Sequence, residues 1–329
     1  MTTLGVRLRD SQLALPAMRE LVRLAEQRGY ESVWLPESVG RESITELTAL
    51  ALSSERIWLG TGIVPVFTRL PTMAAAALAT TATLAPGRVR LGVGIGHRDH
   101  QEAGHGVHFH RPLQHVREFV TIARQILTAG HIASYAGEVY TIEHFRLDTP
   151  PPQPVPVYIA ALRPQMLRLA GAVADGVLMN WATVEYIPQA IAYVRQGAEA
   201  AGRSLQDIHI ACYLRTCVTD TPEKVEQASR EQIARYGSMV YYRQYFASIG
   251  FAAEAATLEQ AWQRGDRAAA VQAVTPAMIQ TLTIYGSAAE CRQRLQAYHE
   301  AGLQLPIIAP FPIGEPIAET FARTIEGCA

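Results

Sequence analysis

IWLGTGIVPVFTRLPTMAAAALATTATLAPGRVRLGVGIGH, residues 57–97, reads as a strand, a helix and a second strand. Ile57 to Val64 is an apolar, β-branched run of the kind that pairs in a sheet. Pro71 stands where a proline is tolerated, in the first turn of a helix, and an alanine-rich helix continues to Leu84 with side chains small enough to pack closely on a sheet. Pro86-Gly87 breaks the chain. Beyond the break, Val89, Leu91, Val93 and Ile95 alternate with Arg90, Gly92 and Gly94 in the period-two pattern of a strand. A helix between two strands is the βαβ unit, whose strands run parallel.

The unit repeats in both directions. Leu4 to Leu8 and Ser32 to Leu35 read as strands separated by a helix over 16–27, and a helix over 44–53 leads into Ile57. Downstream, a helix over 113–127 follows a long histidine-rich connection. Residues 130–149 read as a hairpin insertion around Tyr135-Ala136-Gly137, closed by Pro150, Pro151, Pro152 and Pro154. Strands from Val155, Gly176 and Ile208 then alternate with helices over 165–173 and 187–201. Residues 236–267 break the rhythm with Tyr236, Tyr241, Tyr242, Tyr245, Phe246 and Phe251, a helical cluster suited to a lid or a dimer contact. Ile284 to Ser287, another helix and Leu305 to Ala309 resume it. Strand beginnings at Leu4, Ser32, Ile57, Val89, Val155, Gly176, Ile208 and Leu305 count to eight, the number of a closed (β/α)8 TIM barrel. No linker divides the chain, so residues 1–329 are expected to form one barrel domain with insertions at about 130–149 and 236–267.

With 49% hydrophobic and 18% charged residues, 329 residues have ample material for a large core. A net charge of -1 and a pI near 6.8 provide no basic field to gather nucleic-acid or anionic-lipid phosphates. The expected partner is a small molecule, with no nucleic acid and no membrane. Met1 leads into TTLGVRL without an apolar leader, and the alanine-rich run is too short to span a bilayer, so a cytoplasmic location is expected. Cys212, Cys217, Cys291 and Cys328 form no CxxC pair and read as reduced structural thiols.

In a parallel barrel the reacting groups stand at the C-terminal ends of the strands. That rule selects Glu37 and Ser38 after the second strand, Thr61, Gly62 and Ile63 after the third, Gly94, Gly96 and His97 after the fourth, and Asn180 and Trp181 after the sixth. Glu37 is suited to bond a cofactor or orient a proton donor, or else to pair with Arg41. His97 is suited to exchange a proton near neutral pH or to cap its loop. Arg69 and Glu102 are further candidates near the mouth, and Trp181 reads first as packing. Gly92 and Gly94 lie inside the alternating strand; they make no dinucleotide loop and would let a ligand approach closely. His97, His100, His105, His108, His110 and His115 crowd one connection, yet no HExxH or completing carboxylate or cysteine spacing accompanies them, and no metal is assigned. No lysine or arginine constellation points to a sugar phosphate.

VWLPES (33–38), the 57–97 stretch and PVYIAALRPQMLRLAGAVADGVLMNW (156–181) together resemble luciferase-like oxidoreductases, and in particular the coenzyme F420-dependent branch similar to methylenetetrahydromethanopterin reductase. The likeness is good over residues 2–215 and weak beyond. It implies a deazaflavin cofactor, F420, with FMN as the alternative. It further implies a non-proline cis peptide between Gly62 and Ile63, in a bulge backing the central ring. By the same resemblance Ala160, Ala161, Leu162, Arg163 and Gln165 hold the cofactor phosphate at a helix N-terminus, and Asn180 and Trp181 border the ring. Where relatives carry an acid followed by histidine, this chain has Glu37-Ser38; His97 stands where they place an acidic or polar residue. The implied chemistry is hydride transfer between F420 and a small organic substrate, with His97 or Glu37 handling a proton. An FMN-dependent luciferase-like monooxygenase and a non-catalytic flavin-binding barrel are the alternatives, and a homodimer is expected.

Overall fold

The computed structural model describes residues 3–37 and 40–329. The chain begins with β1 (Gly5–Arg7), α1 (Leu15–Gln27), β2 (Ser32–Leu35), α2 (Ser43–Ala51), β3 (Trp58–Thr61), β4 (Val64–Pro65) and α3 (Pro71–Leu84). Next come β5 (Val89–Gly94), α4 (Arg98–His105) and α5 (Pro112–Ala129). Two nested antiparallel ladders follow, β6 (His131–Ile132) with β9 (Phe145–Arg146) and β7 (Tyr135–Ala136) with β8 (Thr141–Ile142). The alternation returns with β10 (Val157–Ala160), α6 (Pro164–Val173), β11 (Gly176–Asn180), α7 (Tyr186–Ala200) and β12 (His209–Val218). A run of α8 (Pro222–Gly237), α9 (Val240–Ser248), α10 (Ala252–Gln263), α11 (Arg267–Gln272) and α12 (Pro276–Leu282) precedes β13 (Thr283–Gly286), α13 (Ala288–Glu300), β14 (Leu305–Ala309) and α14 (Ile317–Cys328).

β1, β2, β3, β5, β10, β11, β12 and β14 pair in parallel in that order, and β14 returns to β1. The fold is the closed eight-stranded (β/α)8 barrel that the strand count predicts. β13 stands outside the ring: β12 pairs with β14 through Ala211 to Arg215 and with β13 from Arg215 to Val218. Two connections differ from the sequence reading. The histidine-rich connection contains α4, ended by Gly106 at a left-handed φ of 68°. The aromatic segment belongs to a longer helical run, from Pro222 to Leu282.

Inside the barrel, Trp34, Tyr158, Leu178, Tyr213, Leu305 and Ile307 make a core of their own, separate from the larger one between strands and helices. Two glycines admit its largest rings. A Cβ at Gly60 would lie 2.6 Å from the Trp34 ring, and one at Gly176 would lie 2.2 Å from the Tyr158 ring. Near these rings Arg90 pairs with Glu31, its guanidinium 4.4 Å from the centre of the Trp58 ring.

β3 and β4 are one strand interrupted by a bulge. Leu59 and Gly60 pair with Val89 and Arg90, then Val64 and Pro65 pair with Val93 and Gly94. Thr61, Gly62 and Ile63 thus stand opposite only Leu91 and Gly92, and the extra residue bends the strand. Thr61 Oγ1 patches the ladder by donating to the Gly92 carbonyl (2.9 Å) and accepting from the Gly92 N–H (2.8 Å). The bulge is present, but the cis peptide is not: no cis bond occurs among the described residues, and Gly62–Ile63 is trans. In the trans form the exposed backbone groups already have partners. The Gly62 N–H donates to the Leu35 carbonyl (2.7 Å), and the Gly62 carbonyl accepts from Tyr213 Oη (3.1 Å).

Candidate active site

The inward positions of the strands alternate upward to the barrel mouth. On β12, Ala211 and Tyr213 lie in the interior core and Arg215 is the next inward residue; on β11, Leu178 is followed by Asn180; on β1, Gly5 is followed by Arg7. Arg7, Asn180 and Arg215 therefore converge on the mouth, where Tyr236 of α8 descends between them. Arg215 Nη2 donates to Tyr236 Oη (3.2 Å), and its guanidinium lies 4.3 Å from the centre of the Trp181 ring. Asn180 Nδ2 donates to Tyr242 Oη (2.8 Å), and Tyr245 Oη donates to the Trp181 carbonyl (3.1 Å), so α9 covers this side of the mouth.

Four buried polar atoms here have no partner among the described residues: His97 Nδ1, Asn180 Oδ1, Trp181 Nε1 and Arg215 Nη1. Leaving such atoms unsatisfied costs about 1–3 kcal/mol each, so their concentration at one place makes the mouth the candidate ligand site. Trp181 adds backbone strain, with a φ of 62° in the left-handed region that tryptophan rarely adopts. Packing is still part of its place, since the residue is 2% exposed and belongs to the larger core.

Electrostatics set these groups apart. Burial, aided by His100 and Arg235, pushes the His97 imidazole down to about 4, so it is neutral at pH 7. Burial also lowers the Arg7 guanidinium to about 10, with Arg215 as its second cause. At Tyr236 burial acts to raise the phenol, but Arg215, Arg7 and Arg235 outweigh it and bring the value down to about 8.

The remaining predicted residues take varied places. Glu37 is tied down: Arg69 donates to both its carboxylate oxygens (3.2 and 2.7 Å), and Ser43 donates to it through N (3.2 Å) and Oγ (3.1 Å). The partner weighed for it, Arg41, pairs with Glu46 instead. Ser38 lies outside the described residues. Glu102 pairs with Arg98 on α4. The bulge explains Gly92 and Gly94 without a ligand: a Cβ at Gly92 would lie 2.0 Å from the Thr61 carbonyl, and one at Gly94 would lie 2.9 Å from Ala160 Cβ. Gly96 takes a positive φ of 65° that turns the chain towards His97.

After β10, Ala161 and Leu162 are buried while Arg163 and Gln165 are exposed. Arg163 is the N-cap of α6 but makes no side-chain cap, and Pro164 follows it, so the N–H groups of this first turn are left without a side-chain cap among the described residues. Arg163 itself donates to Gln244 of α9 (2.5 Å).

The histidines divide. The His97 and His100 rings lie 5.4 Å apart at the mouth, whereas His110 and His115 line a neighbouring cleft of about 290 Å³ with Phe67, Arg69 and Tyr140. Among the described residues no group of three His, Cys, Asp or Glu is placed to hold a metal.

Arg7, Arg215, Tyr213 and Tyr236 escaped the sequence reading as site residues. The strand-end rule reaches Arg7 and Arg215 once applied to the first and seventh barrel strands; Tyr236 stood in the aromatic cluster with nothing to distinguish it.

The sequence pattern of the family described as luciferase-like monooxygenase matches residues 1–305. The 5,10-methylenetetrahydromethanopterin reductase of Archaeoglobus fulgidus is 30% identical over 298 residues, covering 89% of each chain. The F420-dependent glucose-6-phosphate dehydrogenase of Mycolicibacterium fortuitum is 32% identical over 243 residues, 69% of this chain and 72% of the other. In three dimensions, the coenzyme F420-dependent tetrahydromethanopterin reductase of Methanopyrus kandleri superposes with a TM-score of 0.84 at 24% identity, over 99% of this chain and 97% of its own. With a closed parallel barrel, a bulged third strand and a polar mouth, this chain belongs to the luciferase-like monooxygenase family.

Proposed function

We propose that the chain is a coenzyme F420-dependent oxidoreductase that moves a hydride between the deazaflavin and a small organic substrate. The observation that carries this reading is the set of unpartnered buried atoms, His97 Nδ1, Asn180 Oδ1, Trp181 Nε1 and Arg215 Nη1, at the end of the barrel that bears the bulge. A flat ring edged with carbonyl and N–H groups has the chemistry to satisfy both donors and acceptors in that set. Two of the three relatives named above, the glucose-6-phosphate dehydrogenase and the Methanopyrus kandleri reductase, are F420-dependent, which supports the deazaflavin over FMN.

The residues divide the work by position. Gly62 and Ile63, in the bulge held by Tyr213, would back one face of the ring. Asn180 and Trp181 border it. The open first turn of α6, with Ala160, Ala161, Leu162, Arg163 and Gln165 around it, receives the cofactor phosphate. When bound, the deazaflavin supplies the hydride chemistry. The protein orients the ring, excludes water beneath α9 and holds protons at two sites. Tyr236 Oη, brought to about 8 by its arginine neighbours, is poised to release or take one; neutral His97 donates or accepts a hydrogen bond without carrying charge. Glu37 keeps the rim in shape through Arg69 and Ser43.

Titration of purified protein with oxidised F420 and, separately, FMN tests the reading by absorbance. Saturable F420 binding with weak or absent FMN binding is expected; tight FMN binding without F420 binding sinks it in favour of a flavin monooxygenase, and binding without turnover over a broad substrate panel favours a non-catalytic barrel.

A homodimer is part of the proposal. Leu52, Leu70, Met73 and Leu84 are 70%, 58%, 60% and 43% exposed, all on or beside α2 and α3, and α3 bears no charged residue. An uncharged helix face of this kind suits a second copy. The four buried, unpaired cysteines suit a reducing compartment such as the cytoplasm. Among the described residues no helix is long and apolar enough to cross a membrane.

A further inference from the structure

Arg7 and Arg215 form an unbalanced charge. Arg215 is 4% exposed, and among the described residues its one side-chain hydrogen bond is to the Tyr236 hydroxyl, with Nη1 left without a partner. Arg7, half-buried, donates to the carbonyl of Arg9. Neither has a carboxylate within ion-pair distance among the described residues, whereas Arg9, two positions along, is neutralised by Glu46 at 2.7 Å. Arg235, a third cation near Tyr236, also has no carboxylate within ion-pair distance among the described residues. Buried guanidinium groups are stable when paired, and here the protein supplies cations and a phenol but no anion.

Position within the ring of strands says which ligand supplies it. β12 stands four strands from β3 in either direction, directly across the barrel, and Tyr213 spans that width to reach the Gly62 carbonyl. A planar cofactor backed on the Gly62–Ile63 bulge would therefore turn its other face towards Arg215, the side left for a substrate. On the cofactor reading above, the uncapped first turn of α6, on a different side of the mouth, would take the cofactor phosphate.

We infer that Arg7 and Arg215, with Tyr236 between them, bind an anionic oxygen group of the substrate, a carboxylate or a phosphate, and so select an acidic substrate. The inference rests on the cofactor reading above for the placement of the ring. The cradle fixes the acidic end of the substrate, so that the carbon to be oxidised or reduced lies over the open face of the ring. The two guanidiniums suit a two-oxygen group that each can meet with parallel N–H donors.

The test is a titration of the full chain, free of cofactor, with inorganic phosphate and with pyruvate, at ionic strength held constant with chloride. The readout is tryptophan fluorescence, because Trp181 lies against Arg215. The wild type is expected to give a saturable change with at least one anion, and Arg215→Gln and Arg7→Gln are expected to weaken that affinity by roughly 30-fold or more. No saturable change in the wild type beyond the chloride control, or variants that titrate like it, overturns the inference. Should a glutamine variant fail to fold, its lysine counterpart, which keeps charge but not the fork, is expected to bind more weakly; wild-type affinity there overturns it too. F420 titration of the same proteins separates the sources of the anion. Cofactor affinity unchanged to within roughly twofold supports a substrate cradle, while a loss matching that of the anions assigns the arginines to the cofactor and overturns it. If F420 fails to bind the wild type while an anion saturates, the cofactor reading falls and the cradle stands.

Discussion

At the scale of single residues, two titrating groups at the mouth carry opposite instructions. His97, pushed down to about 4 from an ordinary 6.5, stays neutral across the working range, so the rate profile is expected to lack a limb near 6.5. In the unfolded chain His97 binds its proton at 6.5, but in the folded chain only near 4. Between those values the unfolded state holds more protons, so stability falls as pH drops through the window and is unaffected above it. Urea midpoints measured across it are expected to decline less in His97→Gln than in the wild type. Tyr236 behaves oppositely, with its charged form favoured. A near-ultraviolet titration is expected to show one phenol ionising near 8, absent in Tyr236→Phe and moved upward in Arg215→Gln. Its folded value lies below its ordinary 10, so its stabilisation is complete above 10 and lost as pH falls through 8. A phenol that stays silent until 10 would remove Tyr236 from the proton-handling role.

At the scale of the element, the β3–β4 bulge is locked from outside its own strand. A Cβ at Gly62 would lie 1.7 Å from Tyr213 Oη, on the strand across the barrel. Gly62→Ala must displace that hydroxyl and is expected to lower stability by about 1–3 kcal/mol, the usual cost of overpacking. Tyr213→Phe alone should cost about 1 kcal/mol for the lost hydrogen bond. Because both changes strike one contact, the double variant should be less destabilised than the two singles summed, as read from denaturation midpoints. Strict additivity would show that the two residues do not constrain one another. The bulge was implied by the family resemblance that LGTGI helps to carry; its bolt, Tyr213, was not, since 151 residues separate the partners.

At the scale of the whole molecule, the homodimer proposal rests on the exposed face of α2 and α3. Met73→Glu combined with Leu84→Glu places charge on a helix that has none and is expected to shift sedimentation from dimer to monomer without loss of helical signal. A wild type that sediments as a monomer at micromolar concentration would end the homodimer proposal. Both positions are largely exposed, so the substitutions leave the barrel core untouched.

The sequence by itself determined the barrel, because period-two strands and amphipathic helices are local patterns and their number and order close the ring. It also marked the strand ends, including His97, Asn180 and Trp181, because the C-terminal edge of a parallel barrel is where side chains meet a ligand. Only the tertiary structure decided which strand ends act together. The sequence offered no arginine constellation, yet Arg7 and Arg215, on strands separated in the ring by β14 alone, share a mouth with Tyr236 from a helix beyond the seventh barrel strand. Likewise Glu37 reads as a cofactor contact or a partner of Arg41 until Arg69 is seen folded back upon it. Charge, burial and pairing are properties of the assembled surroundings, and residues far apart along the chain supply them.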